Sequence, residues 1–279
     1  MAESDIEQVV DNESPQHWFV RLYLRHEKKI LGTITVLMVV AIWELAGNVW
    51  TVVNPIFLSS PSRVWRAAVE LYQSGRLMND LYVSGIEFFW GYFISVIVGV
   101  PLGIALGWYR RFNYSMDPFI NALYAAPVVA FLPLLVIWMG IGLASKLTLI
   151  FMAAVFPIVM NTRDAVKTTP ATLLEAARSF QASQYQIFKT IVLPSAVPFI
   201  LAGLRLGAGR ALIGVFVAEL YIAQAGVGQM IAEAGATFNT DVVLVGVVIF
   251  SIVGMITLEL LTQLERRFDK WRPRPANRT

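Results

Sequence analysis

Residues 88–109 read FFWGYFISVIVGVPLGIALGWY, 22 consecutive positions without a charge, closed by Arg110 and Arg111. A helix needs about 20 predominantly apolar residues to cross the hydrocarbon core of a bilayer. This stretch supplies them continuously, without the alternation of a barrel strand. Gly99, Gly103 and Gly107 recur at every fourth position, a small-residue stripe that lets a second helix approach closely. Working outward, comparable runs lie near Ile30–Trp50, within Pro118–Ser145, at Leu147–Thr162, at Ser195–Tyr221 and near Val242–Leu261. They predict about six membrane-spanning helices, with Pro127 and Pro133 bending or interrupting the third and Arg163 closing a short fourth.

The rest of the chain agrees. Hydrophobic residues make up 57% and charged residues 15% of its 279 positions, and mean hydropathy is +0.62. A soluble domain carries about 25% charged residues, so the composition excludes a soluble globule and, equally, a disordered chain. The fold class expected is an all-α polytopic membrane protein. Residues 1–29 form an N-terminal segment, 30–265 the transmembrane domain and 266–279 a basic tail. The acidic start, residues 1–14, has neither the basic nor the apolar region of a cleaved signal. PQHWFVRLYLRHEKK (15–29) mixes aromatic and basic residues, as an interfacial helix or a basic flank of the first span does. Ser59 and Ser60 ahead of Pro61, with Gly75 after the last periodic residue, predict a helix outside the membrane over 59–75.

Orientation follows from the basic residues. With the N-terminus in the cytoplasm, sixteen of the 22 Lys and Arg fall in inner segments, four in outer loops (Arg63, Arg66, Arg76, Lys146) and two, Arg205 and Arg210, inside the fifth span. That asymmetry predicts both termini inside and places 163–194, the longest polar stretch between spans, in the cytoplasm.

Several chemistries are excluded. There is no cysteine, and the only histidines, His17 and His26, precede the first span, so neither thiol catalysis nor a histidine metal site in the membrane is available. No metal site is expected. No G-x-x-x-x-G-K-[ST] loop is present, since Gly140–Lys146 lacks the spacing and lies on the outer side. A net charge of +3 gives no reason to expect nucleic acid.

The stretch TTPATLLEAARSFQASQYQIFKTIVLP (168–194) predicts two short helices, Ala171–Phe180 and Gln184–Ile191, closed by Pro194 ahead of span 5. Such a knob on the inner face suits docking into a groove of a cytoplasmic partner. Glu175-Ala176-Ala177, followed by Ile191-Val192-Leu193-Pro194, resembles the EAA loop of ATP-binding cassette (ABC) importer permeases. LSSPSRVW (58–65), LPLLVIWMGIGLASK (132–146), GLRLGAGRALIGVFVAEL (203–220) and AGVGQMI (225–231) are similar to the nitrate/sulfonate/taurine/bicarbonate branch of that family. The similarity covers roughly residues 40–265.

The resemblance implies a type I ABC importer permease fold in a bacterial inner membrane. It implies separate cytoplasmic ATPase subunits that carry ATP and Mg, so that this chain holds no cofactor and is not itself an enzyme. A second permease subunit, identical or different, and an extracytoplasmic solute-binding protein are implied as well, with lipid around the spans. Glu175, Ala176, Ala177, Arg178, Gln181 and Pro194 become the ATPase-coupling residues. The family usually has glycine where Gln181 stands, so either Gln181 takes a strained turn or Ala182 and Ser183 form a different one.

Tyr124, Phe131, Trp138 and Glu219 are candidates for the translocation pathway, against packing or interface roles for the aromatics and a hydrogen bond to a neighbouring span or to the 224–241 loop for Glu219. Asn161 is expected to bond between helices. Arg205 and Arg210, placed near the cytoplasmic end, are expected to snorkel or pair with loop carboxylates rather than bind an anion. Glu44 and Glu87 sit near the outer ends of spans 1 and 2, where a merely interfacial place is open to them. The solute expected is a small anion. The alternatives are an ion-coupled secondary transporter, which would need its own ion site and usually an internal repeat, and a membrane enzyme, which would need a clustered catalytic set. Neither is visible.

Overall fold

The glycine stripe of residues 99–107 is a packing surface. In the computed structural model, which describes residues 17–49 and 57–268, every regular element is helical. The expected features of residues 1–16 and 269–279 lie outside the described residues. The chain divides into two compact units, Met1–Trp65 and Arg66–Thr279.

The first unit contains α1 (His17–Glu44), a wide π turn (Leu45–Val49) and the start of α2 (Pro61–Gln73). Residues Ile30–Asn48 are apolar enough to span. Glu44 does more than sit at an interface: its carboxylate accepts from the Ser62 amide (3.0 Å) and the Ser62 hydroxyl (2.8 Å). Those amides at a helix start have no partner inside the helix, so Glu44 anchors the beginning of α2 to the end of the span. Trp43 adds an indole bond to the Ser59 carbonyl (2.8 Å).

The second unit holds α3 (Arg76–Trp108), α4 (Arg110–Ala125), α5 (Leu132–Met139), α6 (Leu143–Lys167), α7 (Ala171–Ser179), α8 (Gln184–Ile187), α9 (Leu193–Ile222), α10 (Val227–Ala236) and α11 (Thr240–Phe268). Five described helices are long and apolar enough to span, and α4 with the segment 128–139 passes the same test as a pair bent by 92°, the form of a broken span or a re-entrant loop. The break falls at Ala126–Pro127. Pro133, in contrast, sits in the first turn of α5, where its missing amide costs nothing.

The bundle is organised around α6. Gly91, Gly99, Gly103 and Gly107 of α3 press on one face of it, and Gly203, Gly207 and Gly214 of α9 on another. A Cβ at Gly103 would lie 2.5 Å from Thr162 Cβ and 2.8 Å from the Val159 carbonyl, so the close approach requires glycine. α6 is longer than expected. It continues through Arg163 to Lys167, because Arg163 is neutralised by Asp117 (2.5 Å) and Asp164 (2.9 Å) instead of ending the helix in headgroups. Asn161 bonds within α6, to the Pro157 carbonyl (2.8 Å), rather than across to another helix.

Pro194 likewise does not close a helix, since Gln184–Ile222 runs continuously. A π turn at Phe188–Val192 comes just before it. The wider turn makes room where the proline ring would collide with the carbonyl four residues earlier.

Candidate functional site

The knob at residues 171–192 is built from backbone caps and an apolar back. At the end of α7 the Ala182 amide donates to the Ala177 carbonyl (3.0 Å) and the Gln181 amide to the Arg178 carbonyl (2.9 Å), the paired bonds of a Schellman stop. That stop needs a left-handed residue, and Gln181 takes it, with φ 55°. Gln181 itself is therefore the turn residue, and the alternative geometry through Ala182 and Ser183 does not occur. Ser183 starts α8 with a reciprocal box: its hydroxyl accepts from the Gln186 amide (3.3 Å) while the Gln186 side chain accepts from the Ser183 amide (2.7 Å).

Leu174, Ala177, Ala182 and Phe188 pack on a core of Ala165, Val166, Ile187, Val192, Ala196 and Ile200. Trp108 at the end of α3 meets Phe188 edge-on, with ring centroids 5.1 Å apart. Glu175, Ala176, Arg178 and Gln181 are exposed, while Ala177 and Pro194 are half-buried. Arg178 lines a 970 Å³ cleft between α3 and the knob with Trp108, Leu174 and Tyr185.

The pathway candidates are not brought together. Tyr124 lines a 420 Å³ cavity at the break of the third span, with Val128, Met152, Phe156, Arg210 and Val217. Phe131 packs beside Leu135, Leu149 and Ala218. Trp138 stands 67% exposed on α5. Glu219 is fully buried, and its carboxylate accepts from the Ser84 hydroxyl (2.6 Å) and the Gly228 amide (2.7 Å). The same junction is tied by Ser84 accepting from the Val227 amide (2.9 Å) and Asp80 from the Gly226 amide (3.1 Å). Two carboxylates and a hydroxyl thus hold the first amides of α10, which helix geometry leaves without acceptors. Gly226 (φ 125°) is obligatory here, because a Cβ would fall 2.2 Å from the Glu219 carboxylate.

The comparisons with known proteins bear on the whole of this region. Residues 99–270 match the family described as binding-protein-dependent transport system inner membrane component. The chain belongs to this family of transport permeases. TauC, the taurine transport system permease protein of Escherichia coli (strain K12), is 35% identical over 252 residues, covering 86% of this chain and 88% of TauC. SsuC of Bacillus subtilis (strain 168), a permease named for aliphatic sulfonates transport, is 34% identical over 241 residues, covering 86% and 87%. Among solved structures, an inward-facing MetNI methionine ABC transporter chain superposes with a TM-score of 0.63 at 18% identity, covering 70% of this chain and 97% of that one. That likeness shows the fold, a type I importer permease.

Parts of this permease site were not visible to sequence reasoning. Phe180 and Tyr185 stand 87% and 70% exposed on the knob. The available signal was an aromatic directly before the helix stop, with its apolar neighbours already committed to the other face. Lys146, read as an outer-loop charge, begins α6 and forms a buried ion pair with Glu87 of α3, so Glu87 is not interfacial. Arg205 pairs with Glu265 of α11 (3.1 Å) rather than with a loop. Arg210 lies farther from the knob than expected, roughly 18 Å along the helix from Ile222 at 1.5 Å per residue.

Proposed function

We propose that this permease, with a second permease subunit, forms the translocation pathway of an ATP-driven importer for a small sulfonate-bearing solute, an organic sulfonate or taurine. An external binding protein delivers the solute, and residues 171–192 engage a separate ATPase that carries ATP and Mg. The knob lies on the cytoplasmic side of the bacterial inner membrane, as do both termini. The observation that carries the reading is the knob itself. It is a rigidly capped pair of helices inside the family-matched region, with an apolar back fixed to the bundle and with Glu175, Arg178, Phe180 and Tyr185 left on its surface or lining its cleft. The names of TauC and SsuC support the solute class.

The mechanism is alternating access. ATP binding draws the two ATPase subunits together, and each knob follows the groove that holds it. Because Leu174 and Ile187 pack against the ends of α3, α6 and α9, displacement of the knob is delivered to those spans together. A bias of a few kcal/mol between two states is sufficient.

Purification of the tagged chain from its native membrane, with mass spectrometry of what accompanies it, tests the reading. An ATPase with a Walker motif is expected, and Glu175→Lys is expected to lose it while still eluting as a folded permease. A chain that elutes alone, under conditions that keep other ABC complexes intact, overturns the proposal.

A further inference from the structure

Among the described residues, most charges inside the bundle are held by an opposite charge or a hydrogen bond. Lys146 pairs with Glu87, Arg163 with Asp117 and Asp164, and Arg205 with Glu265. Glu219 and Asp80 are occupied by the start of α10. Arg210 has no such partner. It is exposed, lies in the middle of a span, and has no carboxylate partner among the described residues. A charged side chain at that depth is costly, and those that persist face the bundle interior or a water-filled cavity and mark substrate or ion pathways.

The cavity Arg210 faces is specific in what it lacks. Its walls are Val128, Leu149, Met152, Phe156, Ile213 and other apolar side chains, and among the described residues no carboxylate lines it. Arg210 and Tyr124 supply its only polar side chains. At 420 Å³ it falls within the range of small-molecule pockets, about 300–1,000 Å³.

We infer that Arg210 is the charge-recognition residue of a solute site in this cavity, and that the site takes a monoanion with an apolar body, an organic sulfonate or carboxylate. This rests on the importer reading and narrows it. The guanidinium fork matches the oxygens of such a head group through two parallel bonds, and the apolar walls take the tail. A zwitterion brings an ammonium for which the cavity holds no counter-charge. A small inorganic oxyanion leaves the apolar walls unused.

The test uses the purified permease–ATPase complex in lipid nanodiscs and calorimetric titration with sodium pentanesulfonate, taurine, sodium sulfate and pentylamine hydrochloride at matched ionic strength. Pentanesulfonate is expected to bind, taurine and sulfate to bind about tenfold more weakly or worse, and pentylamine to leave pentanesulfonate binding unaffected. Arg210→Gln is expected to weaken pentanesulfonate by about tenfold or more, the usual size of a lost charge-assisted bond. Arg210→Lys keeps the charge without the fork and is expected to fall between. Gel filtration of each variant reports folding, and Arg210→Lys carries the test if Arg210→Gln fails to fold. The inference is overturned if taurine binds as tightly as pentanesulfonate, if the folded Arg210 variants bind like the parent, or if no anion binds at millimolar concentration. Failure of the importer reading shows separately, as absence of the ATPase from the purified complex.

Discussion

The two connections that flank α9 are opposite in construction. Each carries a short helix, α7 ahead of α8, which leads straight into α9, and α10 after α9. In the first, α7 has no buried residue, the end of α7 is held by the Schellman pair and the start of α8 by the Ser183–Gln186 box, all of them local bonds. In the second, five of the ten residues of α10 are buried, and its start is gripped by side chains up to 146 residues away in sequence. The first keeps its shape without depending on the bundle's polar groups, so it carries its motion into α9 through α8. The second cannot move without breaking bonds to both α3 and α9. A connection that must answer a partner and one that must stay with the bundle are thus distinguished by where their hydrogen bonds end.

The largest effect expected lies in the bundle that α10 is tied to. Glu87→Ala leaves Lys146 buried and unpaired, and is expected to cost about 3–5 kcal/mol. The temperature at which the protein loses monodispersity on gel filtration reads this out. Glu87→Met combined with Lys146→Met is expected to recover most of it, because an apolar pair removes the stranded charge. If the single variant is as stable as the parent, the ion pair is not what joins α3 to α6.

Next comes Glu219→Ala, which strips acceptors from Ser84 and the Gly228 amide at once. A cost of about 3 kcal/mol is expected, as each buried donor left without an acceptor costs about 1–3 kcal/mol. Hydrogen exchange over 223–236 should accelerate while exchange over 171–192 stays unchanged. Equal acceleration in both segments would erase the contrast between the two connections.

That contrast was only half legible in the sequence. The spans, the glycine stripe and the knob follow from patterns of one residue type at a fixed spacing: apolar runs, Gly every fourth position, and Glu-Ala-Ala followed by Leu-Pro. The ion pairs do not. Glu87 and Lys146 are 59 residues apart, and Asp117 and Arg163 are 46 apart. Nothing in either local window indicates a partner, so Lys146 reads as a loop charge and Arg163 as a helix end. Glu219 was legible as a charge in a span, but its amide partners belong to a glycine turn whose path only the tertiary fold defines. Gln181 marks the limit in the other direction. The departure from glycine is plain in the sequence, while the positive φ it must adopt is visible only in the backbone.

A smaller effect is expected in the knob. Ser183→Ala removes the side-chain acceptor for the Gln186 amide and should cost about 1 kcal/mol, the usual value of an N-cap. It should appear as faster exchange at 184–188 and as weaker retention of the ATPase, with the spans unaffected.

The smallest effect has the opposite sign. Gln181 holds φ 55° so that Ala182 and Gln181 can close the end of α7. A left-handed conformation costs an L-residue about 1–2 kcal/mol, a cost that glycine escapes. Glycine also gives the unfolded chain more freedom, which offsets part of the gain by about 0.4–1 kcal/mol. Gln181→Gly is therefore expected to stabilise the knob by about 0.5 kcal/mol, and Gln181→Val to destabilise it, since a β-branched side chain suits positive φ least. Exchange of the Gln181 and Ala182 amides gives the sign directly, because both are donors in the stop. Slower exchange in the glycine variant means that the knob carries a strain confined to one residue. Unchanged exchange in both variants means that the apolar backing by Leu174, Ala177 and Ala182 holds the turn regardless of its residue, and the first connection would then depend on the bundle more than its hydrogen bonds imply.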